Sequence, residues 1–291
     1  MRIHVDIETK AIKFRDYESE VTIVIPDYYS AKAVNEVVNY DSKMEYKRAK
    51  VVTAFSMLYD IPDLFKFVND VKGILHDDGL IVFEQSYMPE MFKAISYDTI
   101  CHEHLSYFSL TFLYRLFDEC GLKIVDVSFN GCNGGSFVTT LAEKTSEAWD
   151  ENTKVIEKIL KKEARGKYEK DCTWENWVQS IEQSKDNLKE IIAGKKVAGL
   201  GASTKGNVLL QYCGLGPDDI EVIGDVNPDK HGCYTPGTWI PITDEDTVLA
   251  GDYDYYLVLP WHFKEFFINN PKFKGKTLLF PLPEVHTVTV E

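Results

Sequence analysis

The sequence predicts an α/β protein with two doubly wound lobes joined by a helical segment. Short apolar runs alternate with stretches of helical spacing over residues 1–144, and the same alternation returns at Gly194. Between them, from Thr145 to Ala193, Lys and Glu dominate, with one glycine and no proline. The length, 291 residues with 44% hydrophobic content, suits two ordinary domains with cores of their own. The expected spans are therefore 1–144, a connector at 145–193, and 194–291.

In the first lobe, Arg2–Ile7, Ala49–Ala54, Gly79–Glu84 and Lys123–Val127 read as strands, and Ala31–Val38 and Asp63–Leu75 as helices. Asp63 is placed to cap the second helix, and Phe65, Val68, Val71 and Leu75 form its apolar stripe. Strands alternating with helices imply parallel βαβ units. Lys123–Val127 and Ser136–Leu141 flank the turn-rich FNGCNGG, which predicts an antiparallel hairpin at the sheet edge. In the connector, Val155, Ile159, Trp174, Trp177, Ile181 and Leu188 recur at helical intervals, so two or three helices are expected. In the second lobe, Lys195–Leu200, Ile220–Gly224, Tyr253–Leu259 and Thr277–Phe280 read as strands, with a helix over Lys205–Tyr212.

Composition narrows the function classes. Lys+Arg is 32 against Asp+Glu 46, a formal charge of −14, which opposes a duplex nucleic-acid partner. No apolar run approaches the roughly 20 residues that span a bilayer, and MRIHVDIETK lacks an apolar signal region. A soluble, cytoplasmic protein with no membrane partner is expected. The six cysteines form no C-x-x-C pair, as expected of reduced thiols rather than a zinc ribbon.

The densest chemistry lies in YDTICHEHLSYF, Tyr97–Phe108, where His102 and His104 flank Glu103. Imidazole moves protons near neutral pH, and a neighbouring carboxylate orients it. Three readings stay open: a catalytic base, structural loop histidines, or a His-x-His metal pair that lacks a further ligand at convincing spacing. The second constellation is GLGASTKGNVLLQY, Gly199–Tyr212, a strand running through a glycine turn into a helix. Such a turn offers backbone N–H groups to an anion, with Lys205 as a point charge and Ser203, Thr204 and Asn207 beside it. Its glycines match neither G-x-G-x-x-G nor the P-loop, where Lys-Ser/Thr is required after Gly206. Asp225, at the end of the next strand, sits where a ribose-binding acid is common. Glu84 and Tyr87, at the carboxyl end of a strand, are candidate pocket residues, as is Asn133 in the turn NGGS. That turn equally satisfies a need for positive φ alone.

Taken together, YDTICHEHLSYFSL, NGGSF, GASTKGNVLLQYCG and DVNPDKHGCYTPGTWIPI stand in the order found in one family. The chain resembles, over nearly its whole length, the sugar C-methyltransferases of deoxysugar biosynthesis. They use S-adenosylmethionine to methylate C3 of nucleotide-linked 4-keto-6-deoxy sugars. The resemblance implies a methyl-donor-binding first lobe and a Rossmann-like second lobe that helps hold the nucleotide sugar. It implies His104 as the base for the C3 proton, with His102 and Glu103 lining the same site. It makes Asp6 or Glu8 the contact to the adenosine ribose. Cys101 stands where the family pattern has tyrosine. No cysteine precedes Cys101, so the family's zinc module and its metal are not expected in this chain. The first lobe is expected to lack its initial strand and the Gly-rich loop that follows it. Two rival readings are a sugar-nucleotide-binding remnant that no longer methylates and an NAD-dependent oxidoreductase using Gly199–Gly206.

Overall fold

The computed structural model describes residues 2–6, 11–15, 22–25, 29–32, 34 and 48–291. The chain forms two compact units, residues 1–89 with 103–168 and residues 90–102 with 169–291.

The first unit carries strands β1 (Arg2–Asp6), β2 (Ala11–Arg15), β3 (Thr22–Ile25), β4 (Ala49–Phe55), β5 (Leu75–Ser86), β6 (Leu122–Asn130) and β7 (Ser136–Glu143). They lie in the order β3-β2-β1-β4-β5-β7-β6. Only β1·β4 and β4·β5 are parallel; the other pairings are antiparallel. The sheet is thus mixed, where a parallel one was expected. Four residues separate β1 from β2 and six separate β2 from β3, too few for the dozen or so that a parallel crossover needs. The expected edge hairpin is present as β6 and β7. Helical backbone is described at Ala31, Lys32 and Val34 of the expected first helix; the rest of it lies outside the described residues, as does Ile7.

Helix α1 (Leu64–Gly73) begins as expected, with the Asp63 carboxylate accepting from Lys66 N at 2.9 Å. Its buried stripe is Phe67, Val68 and Val71. Phe65, expected in that stripe, is half exposed, and Leu75 opens β5 instead. At 100° per residue Phe65 lies about 120° from Val71, whereas Phe67 lies about 40° from it. Helix α2 (Met88–Lys93) takes the chain from the first unit into the second. Helix α3 (Leu110–Glu119) buries Leu110, Leu113, Leu116 and Phe117, and α4 (Thr153–Gly166) adds Ile156 and Ile159 to the same core. Full burial of each such side chain contributes about 1.5–3 kcal/mol. This is why α4, placed by composition in a separate connector, packs as part of the first unit.

The second unit opens with α5 (Asp171–Ile192), whose stripe Trp177, Ile181, Leu188 and Ile192 is buried. Trp174, expected in that stripe, is partly exposed and meets the Phe92 ring at 4.6 Å. Then come β8 (Val197–Leu200), α6 (Thr204–Cys213), β9 (Ile223–Asp225), β10 (Ile242–Asp244), α7 (Glu245–Leu249), β11 (Tyr255–Val258), α8 (Lys264–Asn269), β12 (Thr277–Phe280) and β13 (His286–Thr289). The order is β10-β9-β8-β11-β12-β13, parallel except at β13. This is the doubly wound sheet expected. Strand order reverses at β8, so the carboxyl ends of β8 and β11 form the place where such sheets bind ligands. Among the described residues, no helix is long and apolar enough to cross a membrane, and no group of three or more His, Cys, Asp or Glu is arranged to hold a metal ion.

Candidate functional site

In the first unit, β4 ends in a tight turn. Ser56 takes φ 52° and its N–H donates to the Glu84 carbonyl at 2.8 Å, tying the ends of β4 and β5 together. One helical turn, Leu58–Asp60, follows. The chain comes back to this turn at residues 103–106. Leu105 N and Ser106 N donate to the Tyr59 carbonyl at 2.8 and 3.2 Å, and the His104 ring lies 4.1 Å from the Tyr59 ring, tilted by 48°. The Asp60 carboxyl is pushed up to about 6, first by burial and then by the negative charge of Glu103. Its Oδ1 is buried with no hydrogen-bond partner. Glu103, His104 and Asp60 therefore gather at the carboxyl end of β4.

Asp6 is the last residue of β1, which runs parallel to β4 with Arg2 beside Val51 and His4 beside Thr53. The carboxyl ends of the two strands coincide. Glu8 lies outside the described residues. Asn133 donates from Nδ2 to Ser56 Oγ at 3.0 Å, so the NGGS turn docks on the same edge. Its glycine is needed as expected, since Gly135 takes φ 134°. Half-buried Glu84 accepts from the Cys132 thiol, which burial and then this carboxylate hold above the usual thiol range. Tyr87 is a correction. It is fully buried, and its hydroxyl donates to Glu163 Oε1 at 2.8 Å. Glu163 also accepts from Leu110 N, Thr111 N and Thr111 Oγ1 at 2.7, 2.8 and 2.5 Å. With Ser109 Oγ on Phe112 N, it caps the whole first turn of α3, and Tyr87 belongs to that cap rather than to a pocket.

His102 is exposed and falls in the second unit, while Glu103 and His104 fall in the first, so the boundary cuts the sequence triple. In the second unit, Ser203 caps α6 by accepting from Gly206 N at 3.0 Å. A Cβ on Gly206 would lie 2.9 Å from Leu259 Cβ, so this glycine serves close packing. Exposed Thr204 and half-buried Asn207 share the first turn of α6. Asp225 is the second correction. It is 5% exposed and already accepts from Ala202 N at 2.7 Å, Asn227 N at 2.8 Å and Lys230 Nζ at 3.2 Å. It shapes the β8–α6 turn instead of reaching for a ribose.

Lys205 is half-buried; burial lowers its basicity, against the pull of Asp98 and then Cys101. Asp98 is 1% exposed, and Trp261 Nε1 donates to its Oδ2 at 2.8 Å. Tyr97, beside it, is hydrogen-bonded to Cys213 at 3.3 Å and meets the Tyr212 ring at 5.0 Å. This holds the Tyr97–Thr99 turn on α6. Trp261 and His262, directly after β11, are site residues that sequence reasoning missed. Their signal was an apolar strand, Tyr255–Val258, running into LPWHF at a carboxyl end. A cleft of about 680 Å³ between α5 and Pro283–Val285 shares none of these residues.

The family profile described as the C-methyltransferase C-terminal domain matches residues 131–283. The chain belongs to the C-methyltransferase family. A second profile, for a methyltransferase domain, matches residues 8–127. C-methyltransferase NovU of Streptomyces niveus is 32% identical over 275 residues, covering 92% of this chain and 64% of that protein. The chain thus spans less than two thirds of that relative's length. Among solved structures, a SAM-dependent methyltransferase from Leishmania major overlaps this chain with 17% identity over 34% of this chain and 41% of that one, at TM-score 0.26. Haemonchus contortus phosphoethanolamine N-methyltransferase 1 does so with 9% identity over 81% and 62%, at TM-score 0.25.

Proposed function

We propose that this chain uses S-adenosylmethionine to methylate C3 of a nucleotide-linked 4-keto sugar, with His104 removing the C3 proton. The observation that carries the reading is the return of Glu103 and His104 onto the Tyr59–Asp60 turn, at the carboxyl end of β4. Carboxyl ends of strands are where open α/β sheets bind ligands.

The residues at this edge suit a nucleoside. Asp6 ends β1 alongside β4, and Asp60 carries a buried acceptor without a partner, suited to a hydroxyl donor. Asp6, with Glu8, would hold the ribose. The bound donor supplies an electrophilic methyl group on a sulfonium. His104 takes the proton from C3, which the neighbouring C4 ketone acidifies because the carbanion delocalises as an enolate. Glu103, next to it in sequence, orients the imidazole; methyl transfer would form the C3–methyl bond as the methyl–sulfur bond breaks and the neutral thioether leaves, a step governed by positioning. Glu84 and Asn133, near the end of β5 and in the NGGS turn, are substrate contacts. The second unit holds the nucleotide through the first turn of α6, with Ser203, Thr204, Lys205 and Asn207. The nicotinamide reading loses support because the acid it needs on the ribose, Asp225, already carries three donors.

The test follows solvent deuterium at C3 of a bound 4-keto sugar nucleotide. Deprotonation needs no methyl transfer, so exchange isolates the base. His104→Ala is expected to slow exchange by about 10²–10⁴-fold while nucleotide affinity holds. Exchange at the wild-type rate removes His104 from the reaction.

A further inference from the structure

At the carboxyl ends of β8 and β11, one ammonium stands among groups that come from three separate segments. Lys205 lies on the first turn of α6. Asp98, with Tyr97 and Cys101, comes from the segment preceding the His-Glu-His triple, and Trp261 and His262 follow β11. Lys205 interacts electrostatically with Asp98, Cys101 and His262, so these groups lie around a single point. Two of the atoms involved are incomplete. Asp98 Oδ1 and His262 Nδ1 are buried and have no close hydrogen-bond partner, although Asp98 is 1% exposed, its other oxygen is anchored by Trp261 and its carboxylate also feels the backbone N–H groups of Asp98 and Thr99. Buried polar atoms are nearly always satisfied, so two orphans around one cation indicate a group that is held there at another stage.

The chemistry of that group follows from the charges. An anion is drawn to Lys205 and to the start of α6. It then meets a carboxylate oxygen, which repels phosphate oxygens, and an imidazole nitrogen that donates only when it carries a proton. One added proton resolves this, on Asp98 Oδ1 or His262 Nδ1, because either atom becomes a donor to the anion. We propose that the Asp98–Lys205–His262 cluster is a proton-linked diphosphate site, in which sugar-nucleotide binding takes up a proton on the Asp98–His262 pair. The proposal rests on the reading above that the nucleotide is held by this unit. Burial already disfavours charge on both partners: it pushes the Asp98 carboxyl up, and it holds His262 down to about 4, with Lys205 adding to the effect. A bound dianion reverses the second influence and reinforces the first.

The test is calorimetry with dTDP-glucose at pH 7.5, run in HEPES and in Tris, whose heats of ionisation differ. This ligand has no group of its own that titrates near neutrality. Wild type is expected to show a buffer-dependent heat equivalent to as much as about one proton per nucleotide. The uptake should persist in Lys205→Met at raised ligand concentration and vanish in Asp98→Asn/His262→Gln. Binding with the same heat in both buffers overturns the proposal. Loss of the uptake in Lys205→Met, or its survival in the double variant, overturns it as well, because the proton then belongs elsewhere. Absence of any binding by folded wild type fails the nucleotide reading itself, a result distinct from binding without a proton. Circular dichroism checks the fold of the double variant, and the Lys205→Met arm decides independently of it.

Discussion

Each of the two units holds one acid saturated with donors and another left short of them. In the first, Glu163 receives four donors from Tyr87, Leu110 and Thr111, while Asp60 leaves Oδ1 unpartnered at the carboxyl end of β4. In the second, Asp225 receives three donors, while Asp98 has an oxygen unpartnered beside Lys205. A saturated carboxylate is spent on the fold, since each donor on it would otherwise be orphaned. An unsaturated one is held in readiness for something else. Donor count, more than position at a strand end, separates the acids of the scaffold from those of the site.

The largest effect expected from this contrast is in the first unit. Glu163→Ala strands the Tyr87 hydroxyl and two backbone N–H groups at the start of α3, and removes a negative charge from the positive end of that helix. A loss of about 3–5 kcal/mol is expected, read as a lowered urea midpoint of the first unit. A loss under about 1 kcal/mol would break the link between donor count and structural role.

Asp225→Asn comes next. The new amide N–H₂ must face one of the donors that the carboxylate accepts, Ala202 N, Asn227 N or Lys230. The expected destabilisation is about 2 kcal/mol, together with faster amide exchange at Ala202. An acid contacting a ribose would instead show unchanged stability and weakened nucleotide binding, so the two readings part cleanly.

Much of this scaffold was legible in the sequence. Asp63 sits at a helix start where local capping chemistry places it, and β6 and β7 announced themselves by strand runs around a glycine turn. These are short-range facts. Contacts between distant residues left no such mark. Glu163 caps a helix that starts 53 residues earlier, and Trp261 anchors Asp98 across 163 residues. Nothing in the local pattern of either acid records its partner. Asp225 misled for the same reason: its position at a strand end matched a ribose acid, but its donors come from a turn 23 residues back and from Lys230. The mixed first sheet was misjudged because β2 and β3, whose short connections dictate antiparallel pairing, were not read as strands. Within the site, Glu103 and His104 were identified by type, but their docking on Tyr59 needed the fold.

The smallest effect belongs to Asp60, and its sign is the sharpest check on the comparison. Its carboxyl is raised from the ordinary 3.8 to about 6 by burial and by Glu103, so the folded state binds the proton more tightly than the unfolded chain does. The stability this contributes is fully present below pH 4 and is lost as pH rises through 6. Asp60→Asn carries no charge and escapes that loss. The variant should match wild type near pH 4 and exceed it at pH 7, by less than about 1 kcal/mol because the group is partly solvated and screened. Urea unfolding of both proteins at the two pH values measures it. Glu163 and Asp225 are expected to destabilise when neutralised, so a variant at Asp60 that does the same at pH 7 would place this acid among the saturated ones and remove it from the site.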